Sequence, residues 1–302
     1  MLYDVPAPAK LNLFLHVVGR RADGYHLLQS VFRFVDLCDT LHFEARHDGA
    51  ISREGGLPGV AADDDLVVRA ARALQAATGT RQGAHIVLDK HIPAGGGLGG
   101  GSSDAASVLV ALNRLWNTGL DRQALMRLAL PLGADVPVFV FGQAAFAEGV
   151  GEILAPVEVP DCAYLLARPD VDVPTPAVCR YAGLTRDTKV CTIADFLDAK
   201  TSAFGKNDLE PAARAMYPEV DAAAHWLKSQ GLSARMTGSG SCFFAEFKNL
   251  SEAILAESKI GAIMRVANPD ANQQSAQADN PVIWWQACKG LNEHPLRHWV
   301  AN

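Results

Sequence analysis

The residues best suited to chemistry in this chain form the run Pro93-Ala94-Gly95-Gly96-Gly97-Leu98-Gly99-Gly100-Gly101-Ser102-Ser103. Its glycines let the backbone turn tightly and expose N–H groups with no Cβ in the way. The residues before it, His85-Ile86-Val87-Leu88-Asp89, are apolar and β-branched enough to predict a strand. After it, Leu109, Leu112 and Trp116 recur at helical spacing, and Ser103 or Asp104 is placed to cap the first turn. The order is therefore strand, glycine turn, helix. The helix adds unpaired N–H groups and the positive end of its dipole. Together they predict a concave anion site suited to a di- or triphosphate.

Two common phosphate loops fit this run poorly. Gly95, Gly97 and Gly100 satisfy G-x-G-x-x-G, so a nicotinamide-dinucleotide oxidoreductase is an alternative reading. That motif needs an acidic residue about 20 positions on, ending the next strand. Asp121 stands near that distance but opens a helical segment. A P-loop needs Gly-Lys-Ser/Thr, and this run holds no lysine.

Other candidates are spread along the chain. Lys10 and Asn12 share one face of a strand over residues 7–19 whose opposite face is Leu11, Leu13, Leu15 and Val17. Side chains of this kind at a strand start are commonly just solvated. Asp23-Gly24 signals a hairpin turn, with Tyr25 and His26 beside it as a binding edge or a strand-end packing pair. Residues 48–60 read as an exposed loop. Asp63-Asp64-Asp65 before Leu66 reads as a helix N-cap more readily than as a metal site. Asp135, in Gly133-Ala134-Asp135-Val136-Pro137, is either a cap or a carboxylate in an apolar setting that suits a general base. Gly238-Ser239-Gly240-Ser241 before Phe243 is either a hairpin turn or a second set of backbone N–H groups aimed at a ligand.

The elements that must position these residues belong to a chain of 302 residues, long enough for one large domain or two ordinary ones. Hydrophobic residues make up 49% and charged residues 20%, as in an ordinary globular protein. A net charge of -6 leaves no basic footprint for nucleic acid. The six cysteines include no C-x-x-C pair, which predicts reduced thiols and a cytoplasmic location. The first residues do not form a signal peptide, and the longest apolar run, near 136–147, is too short to span a bilayer. Five prolines from Pro156 to Pro176 mark a change of composition. A boundary near 155 divides an N-terminal domain, 1–155, from a C-terminal domain, 156–302, of largely helical pattern. The last segment, 281–302, is a candidate to return to the first lobe. In the second half, Thr192-Ile193-Ala194-Asp195 opens a helix, Pro218–Gln230 is an amphipathic helix ended by Gly231, and 268–281 reads as a mobile polar loop.

Taken together, Pro8-Ala9-Lys10-Leu11-Asn12, the 93–103 run and Thr237-Gly238-Ser239-Gly240-Ser241 resemble the three motifs of the superfamily of galactokinase, homoserine kinase, mevalonate kinase and phosphomevalonate kinase. Within it, Arg21-Ala22-Asp23-Gly24-Tyr25-His26, the 133–139 stretch, Pro174-Thr175-Pro176 and Asn207-Asp208-Leu209-Glu210 narrow the resemblance to the branch acting on a cytidine-diphosphate-linked methylerythritol. The resemblance covers nearly the whole chain. It implies a two-lobed α+β kinase with mixed sheets, helices and a cleft between the lobes. It implies transfer of the ATP γ-phosphoryl group to the 2-hydroxyl of that alcohol, in non-mevalonate isoprenoid precursor synthesis, with Mg²⁺ on the phosphates. Asp135 is by this carry-over the base, and Lys10 stabilises the developing alkoxide. Residues Pro93 to Ser103 (Pro93, Ala94, Gly95, Gly96, Gly97, Leu98, Gly99, Gly100, Gly101, Ser102 and Ser103) hold the nucleotide, with Gly238, Ser239 and Gly240 forming the third motif. Asn12, Tyr25, His26 and Thr175 match substrate-holding positions, Tyr25 stacking on cytosine and His26 bonding its edge. Two positions depart from the pattern. Asp65 stands where the family often has an asparagine at the nucleotide. Cys179 stands where it can have a second aromatic, with Tyr181 two residues on.

Overall fold

The computed structural model describes residues 1–56, 59–61, 63–199, 204–267 and 281–301, with side chains of 265–267 left aside. The 268–281 loop expectation therefore lies, but for its last residue, outside the described residues.

The chain begins with a long hairpin, β1 (Leu2–Arg20) and β2 (His26–Arg46). The Asp23-Gly24 turn closes it as the sequence predicts: Gly24 takes φ 91, and the Arg21 N–H donates to the Tyr25 carbonyl at 2.7 Å. β3 (Ile51–Gly55) follows, then α1 (Leu66–Thr78) and β4 (Gly83–Asp89). The segment read as a loop over 48–60 thus contains a strand. β3 runs parallel to β4 from Ile51↔Ala84 to Gly55↔Leu88, a long-range pairing that overrides its glycine-rich composition. Next come α2 (Gly100–Leu115), α3 (Arg122–Ala129), α4 (Val136–Phe141), β5 (Ala145–Glu148) and β6 (Ile153–Pro156). The second half holds β7 (Ala163–Arg168), α5 (Thr175–Arg180), α6 (Ile193–Asp198), α7 (Glu210–Met216) and α8 (Pro218–Ser229). It ends with β8 (Ala234–Met236), β9 (Phe243–Phe247), α9 (Leu250–Ala267) and β10 (Trp284–Leu291). Thr192 forms the predicted capping box with Asp195, and α8 stops before Gly231 at φ 77.

β2 is the spine of a mixed sheet ordered β3-β4-β2-β10-β7-β9-β8. β1 pairs with β2 along its length, β4 from Thr40 to Arg46, and β5 from Ser30 to Phe32. β10 joins the two halves: Trp284–Lys289 pair with β7, and Gly290 and Leu291 pair with Val35 and Phe34. One apolar cluster lies between α1, α2, α3 and the sheet, including Phe34, Leu74, Leu109, Trp116 and Phe139. Another unites Leu11, Leu13 and Phe14 with Tyr164, Phe196 and Phe244 across the middle. This second cluster corrects the one-faced reading of β1. Leu11, Phe14 and Lys10 are all buried because helices and strands cover both faces, so Lys10 and Asn12 are not solvated. All six cysteines are unpaired. Among the described residues no helix is long and apolar enough to cross a membrane.

Candidate active site

Lys10 enters the site from the middle of β1 with 2% of its surface exposed. Burying an ammonium is costly unless it is paired. Lys10 Nζ donates to Asn12 Oδ1 at 2.6 Å, lies 3.3 Å from Asp135 Oδ2 and sits 5.4 Å from the Phe32 ring centroid. Asn12 is held in turn: its Nδ2 donates to Ser30 Oγ at 2.8 Å, and Ser30 Oγ donates to the Phe14 carbonyl at 2.6 Å. Asn12 is buried, so its amide is occupied chiefly in orienting Lys10.

Asp135 stands at the N-cap position of α4 but makes no capping hydrogen bond from its side chain, which is 37% exposed. A carboxylate that forgoes its cap and faces both a buried cation and solvent can accept a proton from a bound group. Asp135 thus occupies the cap position while its side chain pairs with Lys10 instead of capping. The motif before it abuts the glycine run, since a Cβ on Gly133 would stand 3.8 Å from Ser102 Oγ.

The glycine run meets Lys10 directly. The Lys10 N–H donates to the Leu98 carbonyl at 2.9 Å, and a Cβ on Gly99 would stand 3.1 Å from Lys10 Cγ and Cε. Gly99, at φ 74, is the N-cap of α2, and the helix starts at Gly100. This corrects the expected cap: Ser103 and Asp104 lie inside the helix. With no side chain over the first turn, the N–H groups of Gly100, Gly101 and Ser102 remain for a ligand. The Ser103 N–H is already bonded to the Gly99 carbonyl at 2.9 Å.

The third motif, between β8 and β9, packs on the second. The Cys242 N–H donates to the Gly96 carbonyl at 3.1 Å, and a Cβ on Gly97 would overlap the Thr237 carbonyl oxygen. Thr237 Oγ1 accepts from the Asn12 N–H at 2.9 Å, so all three motifs are stitched together. Ser239 Oγ is 2.7 Å from Thr175 Oγ1, which ties the third motif to the first turn of α5. Asn207 Nδ2 donates to the carbonyls of Met236 and Gly238, both at 2.8 Å.

At the hairpin turn Tyr25 is 65% exposed and His26 is nearly buried. Burial, then the charges of Arg186 and Arg20, holds the His26 imidazole below its ordinary value. Cys179 and Tyr181 lie at the end of α5 opposite, both half-buried. Among the described residues no hydrogen bond or ion pair joins the Asp65 side chain to this group, although Leu66 beside it lies against Gly101. The Asp65 carboxylate caps α1 through the Val67 N–H at 2.8 Å and pairs with Arg53 Nε at 3.0 Å.

Sequence reasoning missed a buried support beneath the glycine turn. Lys90 pairs with Asp39 and, at 2.7 Å, with Asp104. Asp39 Oδ1 also accepts from the His91 and Ile92 N–H groups at 2.6 and 2.8 Å, fixing the chain just before Pro93. Burial, aided by the neighbouring Asp39 charge and opposed by Lys90, raises the Asp104 carboxyl to about 7. Burial alone would lower Lys90, but the two carboxylates together raise it. No local pattern marks this trio, whose members come from β2, the end of β4 and α2.

A glycine turn opening a helix beside an amine–carboxylate pair, on a mixed sheet flanked by helices, is an arrangement suited to the class of small-molecule phosphotransferases. The family model for the GHMP kinase N-terminal domain matches residues 65–143, and that for the GHMP kinase C-terminal domain matches 195–265. A protein of Bordetella parapertussis named 4-diphosphocytidyl-2-C-methyl-D-erythritol kinase is 65% identical over 100% of this chain and 99% of its own length. One of the same name from Cupriavidus metallidurans is 59% identical over 98% and 95%. A crystal structure of 4-(cytidine 5'-diphospho)-2C-methyl-D-erythritol kinase superposes with a TM-score of 0.76 at 34% identity, covering 95% of this chain and 98% of that one. A mevalonate kinase shares the fold, with a TM-score of 0.65 at 15% identity. The chain belongs to the 4-diphosphocytidyl-2-C-methyl-D-erythritol kinase family of the GHMP kinases.

The dinucleotide alternative finds no support in these relatives. Its acidic partner is also missing physically: Asp121 caps α3 by accepting from the Ala124 N–H at 2.7 Å, and ends no strand.

Proposed function

We infer that this protein transfers the γ-phosphoryl group of ATP to the 2-hydroxyl of 4-diphosphocytidyl-2-C-methyl-D-erythritol, giving the 2-phosphate and ADP. The observation that supports this best is the 3.3 Å pair of Lys10 and Asp135 set against the glycine turn. The turn and the first N–H groups of α2 hold the phosphates. Asp135 takes the proton of the attacking hydroxyl, and Lys10 offsets the negative charge that grows on that oxygen. Positioning and charge stabilisation are most of what a phosphoryl transfer requires of a protein.

Among the described residues no three His, Cys, Asp or Glu side chains cluster as a metal site. Mg²⁺ needs only one or two protein carboxylates when phosphates supply its other oxygens. The residues therefore fit a cation that arrives on the nucleotide and neutralises charge there. Asp172, an exposed carboxylate set against Gly95 and paired with Arg168, is a carboxylate beside the turn that such an ion could reach. The exposed Tyr25 ring offers a stacking face for cytosine, with His26 at its edge and Thr175 on the opposite wall. We place the reaction in isoprenoid precursor synthesis in the cytoplasm, and the lobes divide near residue 155 with β10 crossing between them.

The test is turnover of ATP and this alcohol followed by ³¹P NMR of the product. A new phosphomonoester on the 2-position, with ADP in equal amount, is expected. ADP released at the same rate without the alcohol would refute the assignment.

A further inference from the structure

Arg186 belongs to none of the motifs and sits on the irregular segment after α5. Its guanidinium makes four hydrogen bonds. Nε donates to His26 Nε2 at 3.1 Å, and Nη1 donates to the Leu184 carbonyl at 3.0 Å. Nη2 donates to the carbonyls of Tyr181 at 2.9 Å and Cys179 at 3.3 Å. The same segment is sewn to the hairpin two residues on, where the Thr188 N–H donates to the Val17 carbonyl at 3.1 Å and Thr188 Oγ1 donates to Asp208 Oδ2 at 2.6 Å.

A guanidinium has only donors. His26 Nε2 must therefore accept, which places the ring proton of neutral His26 on Nδ1. An imidazole between two cations, Arg186 and Arg20, also has reason to stay neutral. The tautomer of a histidine is set by the bond its other nitrogen makes. Here that bond comes from a residue that simultaneously carries the backbone of Cys179 and Tyr181.

We propose that Arg186 is a positioning residue for the acceptor substrate: it fixes His26 as a neutral Nδ1–H donor and holds the 179–181 backbone at a set distance from the Tyr25–His26 edge. A donor of this kind suits a base edge rich in acceptors, and cytosine presents O2 and N3. The proposal rests on the reading that Tyr25 and His26 face the cytidine end of the substrate.

Two measurements test it. In full-length protein with ¹⁵N-labelled histidine, the His26 ring is expected to show the Nδ1-protonated tautomer, and Arg186→Ala is expected to lose that preference. In steady-state assays, Arg186→Ala is expected to raise KM for the cytidine-linked alcohol about 10-fold, equal to about 1.4 kcal/mol, with kcat and KM for ATP within about 2-fold. Arg186→Lys keeps one donor for His26 and loses the fork, so it is expected to retain the tautomer with a smaller rise in KM. Should Arg186→Ala fail to fold, the wild-type spectrum and the Lys variant decide. An Nε2-protonated His26 in the wild type, or an unchanged KM in both variants, overturns the proposal. If the wild type acts on another alcohol and ignores the cytidine one, the parent reading fails, yet the tautomer measurement still judges what Arg186 does to His26.

Discussion

Replacing Asp135 with asparagine separates chemistry from folding in this site. The amide has the shape of the carboxylate and still offers Lys10 an acceptor at the 3.3 Å position. What it cannot do is accept the hydroxyl proton. A general base contributes about 10²- to 10⁴-fold, which is about 2.7 to 5.4 kcal/mol of barrier. The stability change should be far smaller. Two unit charges at this separation attract by about 5 kcal/mol at an effective dielectric of about 20. Solvent reaches Asp135, Lys10 keeps Asn12 Oδ1, and Asp135 makes no cap bond that could be lost. Screening and the retained acceptor leave a net cost of about 1 kcal/mol. We expect kcat for Asp135→Asn to fall at least about 100-fold. KM for ATP should stay within about 3-fold, because the N–H groups of the glycine turn are untouched. The urea midpoint should move by no more than that stability cost allows, and ATP should still raise the melting temperature. A variant that keeps kcat within about 10-fold of wild type would show that Asp135 is not the base and that the reasoning from the Lys10 pair is wrong.

Other outcomes follow from the same geometry. Gly97→Ala should destabilise the protein by at least about 1–2 kcal/mol in chemical denaturation, because φ is 75 and the new Cβ would overlap the Thr237 carbonyl, and should raise KM for ATP. Asp65→Asn, which keeps an N-cap acceptor, should leave KM for ATP within about 2-fold, whereas Asp65→Ala should cost about 1 kcal/mol of stability for the lost cap. A large rise in KM for ATP in Asp65→Asn would place Asp65 at the nucleotide. For Asp104, the carboxyl is raised when folded to about 7, so between its ordinary value near 4 and 7 the native state holds a proton that the unfolded chain has released. That contribution makes stability fall as pH rises through this window and level off above it. Denaturation at stepped pH should show a flatter profile for Asp104→Asn, and an unchanged profile would remove Asp104 as its source.

How far the site could be read locally depends on the residue. The 93–103 run announced the order strand, glycine turn, helix because those signals are all short-range. Yet its cap was misread: Ser103 and Asp104 are good capping types, but the left-handed Gly99 ends the turn earlier. β3 was hidden for a similar reason, since Ile51–Gly55 is a strand only because β4 lies beside it. Lys10 and Asn12 were legible as polar residues on one face, but their burial depends on Phe32, Thr237 and Leu98, which approach from three other segments. Arg186 and the Asp39–Lys90–Asp104 trio carried no signal, because a guanidinium or a buried ion pair obeys no sequence period.

By itself the amino-acid order determined the pieces: the Asp23-Gly24 hairpin, the capping box at Thr192, the stop at Gly231, and a glycine turn that cannot be anything bulkier. Those features are decided by backbone torsions and neighbours within a helical turn, so they are legible in the local sequence. The tertiary structure alone decided that Asp135 comes within 3.3 Å of Lys10 and that Thr237 reaches Asn12. The reason is the pairing of β1 with β2 from His26 to Phe43. Register places Lys10 opposite Phe34, under the Leu98 carbonyl, and a buried amine there has to find a carboxylate and an amide oxygen to remain charged.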